Sequence, residues 1–121
     1  MKRAEPQDLL PLTHVTYHVM LALADWPLHG YGIIKEIAER TDGQMDLEAG
    51  TLYAAIKRLV DDGLLEAAPR DPQDTSDQRR RSYQLTGFGR KVLRAESARM
   101  VSLIAVAREK HVIAGGSGGE A

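Results

Sequence analysis

Apolar residues along this chain recur mostly with helical spacing, in blocks separated by polar, glycine- or proline-containing breaks. In the first block Leu12, Val15, Val19, Ala22 and Leu23 share one face. This predicts a helix that Thr13 caps and that ends near Ala24, before Asp25-Trp26-Pro27. The acid of a capping box is missing, because Thr16 stands three residues after Thr13. A second helix opens at Leu28-His29-Gly30-Tyr31-Gly32, with His29 at its entry. It turns Ile33, Ile34, Ile37 and Ala38 inward and stops at Thr41-Asp42-Gly43. In the third block Leu52, Ile56 and Leu59 recur at i, i+4 and i+7, with Glu48 at the N-cap position and Asp61-Asp62-Gly63 as the stop.

The period then changes. Leu64 to Ala68 reads as a short strand, Pro69 to Gln78 as a polar, turn-rich loop, and Arg80 to Leu85 as an alternating return strand. Thr86-Gly87-Phe88-Gly89 begins a last helix that reaches about His111. The expected fold is mainly α with a small β-hairpin, a winged helix-turn-helix with a long C-terminal dimerisation helix. Residues 1–11 read as a loose, flexible N-terminal arm, 12–85 as the winged helix-turn-helix DNA-binding domain, 86–112 as the dimerisation helix and 113–121 as a flexible tail.

The polar side of the third helix is unusual for a solvated face. It carries Gly50, Thr51, Ala54, Lys57 and Arg58, with Tyr53 at its margin. Small residues permit close approach to a groove, hydroxyls reach phosphates or base edges, and cations sit beside the backbone. The net charge of −1 argues against general coating of polyanions, so local clustering decides. Cations gather at Lys57 and Arg58, at Arg79, Arg80 and Arg81, and at Arg90, Lys91 and Arg94. Acids gather at Asp61 and Asp62 and on the loop at Asp71, Asp74 and Asp77. Arg79, Arg80 and Arg81 are candidate phosphate or minor-groove contacts, although strand alternation sends Arg80 and Arg81 to opposite faces. A winged helix that binds protein instead would present an apolar or acidic face.

On the last helix Leu93, Met100 and Ala107 are spaced by seven, with Ser97 and Ile104 between them. This is the stripe a two-stranded seam requires. Hydrophobic residues are 43% of the chain but aromatics are few, at one Trp, four Tyr and one Phe, so the core must be aliphatic. Without cysteine there is no disulfide, thiolate metal site or cysteine nucleophile. No paired carboxylates or phosphate-binding glycine loop suggest an enzyme, Gly87-Phe88-Gly89 being too short, and no cofactor is expected. No apolar run is long enough to span a bilayer, and the polar start lacks a signal-peptide core, so no membrane is expected and the cytoplasm is the expected location.

Two features have competing readings. His14 and His18 share a metal-compatible spacing, but they lack an evident third ligand and read as interface or core-edge histidines, leaving no metal site. Trp26 reads as a core plug at a helix junction. Its alternative is the aromatic wall of an effector pocket, with Met20 and Met100, although methionines on apolar stripes usually belong to the core.

Three blocks, L-H-G-Y-G-I, A-G-T-L-Y-A-A-I-K-R-L-V-D-D-G-L-L and R-R-R-S-Y-Q-L-T-G-F-G, together resemble the PadR family of bacterial transcriptional regulators across roughly residues 12 to 110. The resemblance implies a homodimer that binds double-stranded DNA, usually represses a nearby promoter and often releases it on binding a small-molecule effector. It places Tyr31, Thr51, Tyr53 and Lys57 at DNA-facing positions and Arg80 and Arg81 on the basic wing strand. It also assigns the dimer interface to the last and first helices, so Val15, Val19 and Leu23 divide between core and interface. The chain departs from the family pattern at Glu48, where Ser is frequent, and at Ala54, where Pro is frequent.

Overall fold

The computed structural model describes residues 4–70 and 81–114. A 3-10 turn over Pro6–Leu9 leads to helix α1 (His14–Ala22), strand β1 (Leu28–His29), helices α2 (Gly30–Arg40) and α3 (Ala49–Asp61), strands β2 (Leu65–Ala67) and β3 (Ser82–Leu85), and the long helix α4 (Gly87–Glu109). This matches the expected mainly helical, small-sheet architecture. β3 is the central strand, antiparallel to β2 through Leu65↔Leu85 and to β1 through Leu28↔Tyr83.

The core is aliphatic. Val19, Met20 and Leu23 of the first helical segment meet Ile33 and Ile37 of α2, Leu52, Ile56 and Leu59 of α3, Leu64, Leu65 and Leu85 of the hairpin, and Val92 and Leu93 of α4. Local chemistry fixes the ends of these elements. Thr13 accepts a hydrogen bond from Thr16 N at 3.1 Å and caps α1. His29 Nδ1 accepts from Gly32 N at 3.1 Å, so an imidazole caps α2. Glu48 holds the N-cap position of α3 without a side-chain cap bond. Gly63 ends α3 at φ +78°, which lets Leu64 N donate to Leu59 O at 2.9 Å.

α4 is tied to this corner. Thr86 Oγ1 donates to Gly63 O at 2.6 Å and accepts from Gly89 N at 2.8 Å. Gly89 passes so close to the hairpin that a Cβ there would lie 3.0 Å from the Leu64 carbonyl carbon and closer still to its oxygen. The glycine is required by backbone approach.

Four expectations need correction. The segment before Pro11 is not a loose arm where it is described: Leu9 and Leu10 pack on the core and the 3-10 turn lies along α4. Leu12 N donates to Glu96 Oε2 of α4 at 2.8 Å, which anchors the segment's end. Val19 and Leu93, expected in the dimer interface, are 0% and 8% exposed and belong to the core. Trp26 is no core plug but stands 65% exposed, because Asp25 and Pro27 beside it are also at the surface and α1 ends before it. Met20, offered as a pocket wall, is fully buried among aliphatics and has no surface for a ligand.

Candidate nucleic-acid interface

α3 divides cleanly into two faces. Leu52, Ala55, Ile56 and Leu59 are buried, whereas Gly50, Thr51, Tyr53, Ala54, Lys57 and Arg58 are exposed. The division follows from helical period: the buried residues recur at three and four, and the intervening positions turn outward. Gly50 has open space around its Cβ direction, so neither packing nor backbone requires a glycine there. Lys57 Nζ pairs with Asp61 at 3.0 Å, with both side chains well exposed. A pair in that setting contributes little and is readily exchanged for another anion.

Two further segments join this face. Tyr31, on the first turn of α2, is 72% exposed, and its ring stacks on His29 with centroids 6.5 Å apart. Tyr53, 44% exposed, reaches back from α3 to the start of α2 and lies over Gly30. Because His29 pairs with Ser82, the β1–β3 ladder sets exposed Arg81 near the entry of α2. Arg79, Arg80 and the acids Asp71, Asp74 and Asp77 lie outside the described residues. β1 is the element that sequence patterning missed. A two-residue strand has no measurable period, and its residues had been absorbed into the helix opening.

Arg90 and Arg40 are instead taken up in bonds within the fold, whereas Lys91 and Arg94 on α4 are exposed. Arg90 Nη1 donates to Ala24 O at 3.1 Å and closes the end of the first helical segment. Arg40 bonds Glu36 at 2.9 Å and His18 Nδ1 at 3.0 Å. Partial burial first, then the charge of Arg40 and of His14, hold the His18 imidazole below its ordinary range. His14 and His18 meet edge to face at 4.6 Å.

The expected seam of α4 is split. Val92, Leu93 and Glu96 are buried by the domain, Ser97 and Met100 are half-buried, and Ile104 is 43% exposed, with Ala107 partly covered. Val101, Leu103 and Val106 add exposed apolar surface in the same half. Ser97 Oγ is bonded to Tyr17 Oη of α1 at 2.8 Å, so α1 and α4 are directly joined, and Val15 of α1 is half-buried. Glu96, the fully buried acid, was not anticipated. It receives Leu12 N and the Arg99 guanidinium. The hydrogen bonds from Arg99, helped by that from Leu12, hold its carboxyl below the usual carboxylate range against the opposing effect of burial. The expected trio Trp26, Met20 and Met100 does not form a pocket wall in the monomer, since Met20 has no exposed surface. An open groove of about 790 Å³ lies elsewhere, where Ala4, Glu5 and Pro6 cross Gly87, Phe88 and Lys91.

A helix packed on its apolar stripe, an outward face of small, hydroxyl, aromatic and cationic residues, and a hairpin beside it define a winged helix-turn-helix DNA-binding regulator. The chain belongs to the PadR-like transcriptional regulator family, whose model matches residues 19–95. A PadR family transcription regulator from Clostridium difficile R20291 superposes with TM-score 0.68 at 25% identity, covering 80% of this chain and 97% of that one. A PadR family transcriptional regulator from Eggerthella lenta superposes with TM-score 0.63 at 26% identity, covering 91% of this chain and 87% of the other. An uncharacterized protein of Lysinibacillus sphaericus is 29% identical over 80 residues, which is 66% of this chain and 72% of that protein. The chain is accordingly a DNA-binding transcriptional regulator and not an enzyme. Among the described residues no helix is long and apolar enough to cross a membrane.

Proposed function

We propose that this regulator is a homodimeric repressor that binds a pseudo-palindromic operator. Each protomer inserts the outward face of α3, with Gly50, Thr51, Tyr53, Ala54, Lys57 and Arg58, into a major groove. Tyr31 and Arg81 flank that contact, and Arg79 and Arg80 extend it along the wing. The observation that carries the reading is the composition of the α3 face: Gly50, Thr51, Tyr53, Ala54, Lys57 and Arg58 are all exposed, and the acid that shares the face, Asp61 in the last turn, is paired with Lys57. Gly50 supports it in particular. Nothing lies within 4 Å of where its Cβ would be, so the missing side chain leaves open space for close approach by a partner.

The exposed apolar half of α4 supports the dimer. Met100, Ile104 and Ala107 with Leu103 would pack on a second copy, beside the half-buried Val15 of α1. Such a dimer sets the spacing of the two α3 helices, about 34 Å for half-sites one helical turn apart. An effector that binds one spacing better than another would release the operator; without that difference in affinity it would shift nothing. Of the three residues expected to line its pocket, Trp26 and Met100 retain surface for it. A cytoplasmic location suits this role.

The test begins with duplexes selected from a random pool by the full-length protein. Tyr53→Ala and Lys57→Ala are then measured on the selected duplex and on random DNA across a salt series. Both variants should fold normally and bind more weakly. Lys57→Ala should lower affinity for all sequences and reduce the salt slope by about one unit. Unchanged affinity in a folded Tyr53→Ala, Lys57→Ala double variant would remove α3 from the DNA interface.

A further inference from the structure

Gly30, the first residue of α2, is buried, and its backbone is not in the left-handed region that favours glycine. Its surroundings, by contrast, exclude a side chain. A Cβ at this position would lie 2.7 Å from Tyr53 Cζ and closer still to its hydroxyl. Two residues on, a Cβ at Gly32 would meet only ordinary contacts from 3.5 Å, and at Gly50 it would meet nothing. The three atoms nearest the Gly30 Cβ direction are the hydroxyl oxygen, Cζ and Cε1 of Tyr53. The hydroxyl end of that side chain therefore rests on the opening turn of α2, while the residue as a whole stays 44% exposed.

We propose that Gly30 is a positioning residue for DNA binding: it forms the seat that holds the Tyr53 ring against α2 and so fixes the direction of its exposed edge. The proposal rests on the reading that the outward face of α3 meets DNA. A tyrosine on an open helix surface exchanges among rotamers, and ordering it on binding costs affinity. A ring already seated in the free protein avoids that cost. The seat also ties the orientation of a DNA-facing side chain to the crossing of α2 and α3, which no residue on α3 alone could do.

The test is a double-mutant cycle with Gly30→Ala and Tyr53→Ala in the full chain, read on the selected duplex together with thermal melting. The added methyl collides with the far end of a rotatable side chain, so Tyr53 should swing away and the fold should persist. Gly30→Ala should then bind the selected duplex about threefold to tenfold more weakly, the size expected when one side chain must be ordered on binding. In the Tyr53→Ala background the same substitution should change affinity by less than about twofold, because the residue it displaces is gone. A folded Gly30→Ala that binds like the wild type overturns the proposal, as does an equal loss with and without Tyr53. If Gly30→Ala fails to fold, recovery of folding in the double variant supports the seat, and a double variant that remains unfolded overturns it. A folded Tyr53→Ala that binds at full affinity overturns the α3 reading and the proposal together. A weakened Tyr53→Ala beside a silent Gly30→Ala overturns the proposal alone.

Discussion

The two halves of α4 carry similar apolar spacing and have opposite surroundings. In the first half Val92, Leu93 and Glu96 are enclosed by α1, the hairpin and the N-terminal segment. In the second half Val101, Leu103, Ile104 and Val106 are exposed at the surface of the monomer. A helix of 23 residues is about 35 Å long, more than the small domain beneath it can cover. Periodicity therefore identifies which side of a helix seeks apolar contact. It does not tell whether that contact lies within the same chain.

Charge placed in the second half should give the largest effect. Met100→Asp with Ile104→Asp should convert the proposed dimer into folded monomers and abolish operator binding, because two linked half-sites become two weak separate ones. Sedimentation of the double variant measures this. A persisting dimer, or a wild-type monomer at micromolar concentration, would refute the assignment of this surface.

In the first half the same helix should respond by unfolding instead. Gly89→Ala drives a methyl into the Leu64 carbonyl, a backbone atom with nowhere to go. It should cost about 3 kcal/mol of stability by chemical denaturation, the upper part of the range for overpacking. A variant as stable as the wild type would show that the α4–hairpin contact relaxes freely.

The smallest effect sharpens the boundary between the halves, at Glu96. Its folded carboxyl titrates below the ordinary carboxylate value of about 4.3. Its stabilising contribution is therefore fully present above that value and is lost as pH falls through the lower, folded one. Glu96→Gln should remove about 1 kcal/mol at neutral pH and flatten this part of the acid dependence, since Arg99 is partly solvated and the charge-assisted bond correspondingly modest. Parallel acid profiles in wild type and variant would show that the carboxylate does not hold the N-terminal segment.

What could be read directly in the residues were the periodic elements: three short helices, a hairpin and a long final helix. The outward face of α3 was legible for the same reason, since 13 helical residues with apolar positions three and four apart leave their other side determined. The end signals were local as well: Thr13, His29 and Gly63 act within a few residues of themselves.

The remainder depended on partners distant along the chain. β1 exists because β3 pairs with it, and two residues alone have no pattern to read. Glu96 looks like a surface acid on its helix until Leu12, 84 residues away, donates to it. Trp26 looks like core by its chemistry, but the chain leaves the interior before reaching it. Val19 and Leu93 were assigned to a second copy, and the domain itself buries them. In each case composition and spacing determined what the residue requires, an apolar neighbour or a hydrogen-bond donor. Only the tertiary structure decided which residue supplies it, because burial is a property of neighbours brought together by the fold and not of position along the chain.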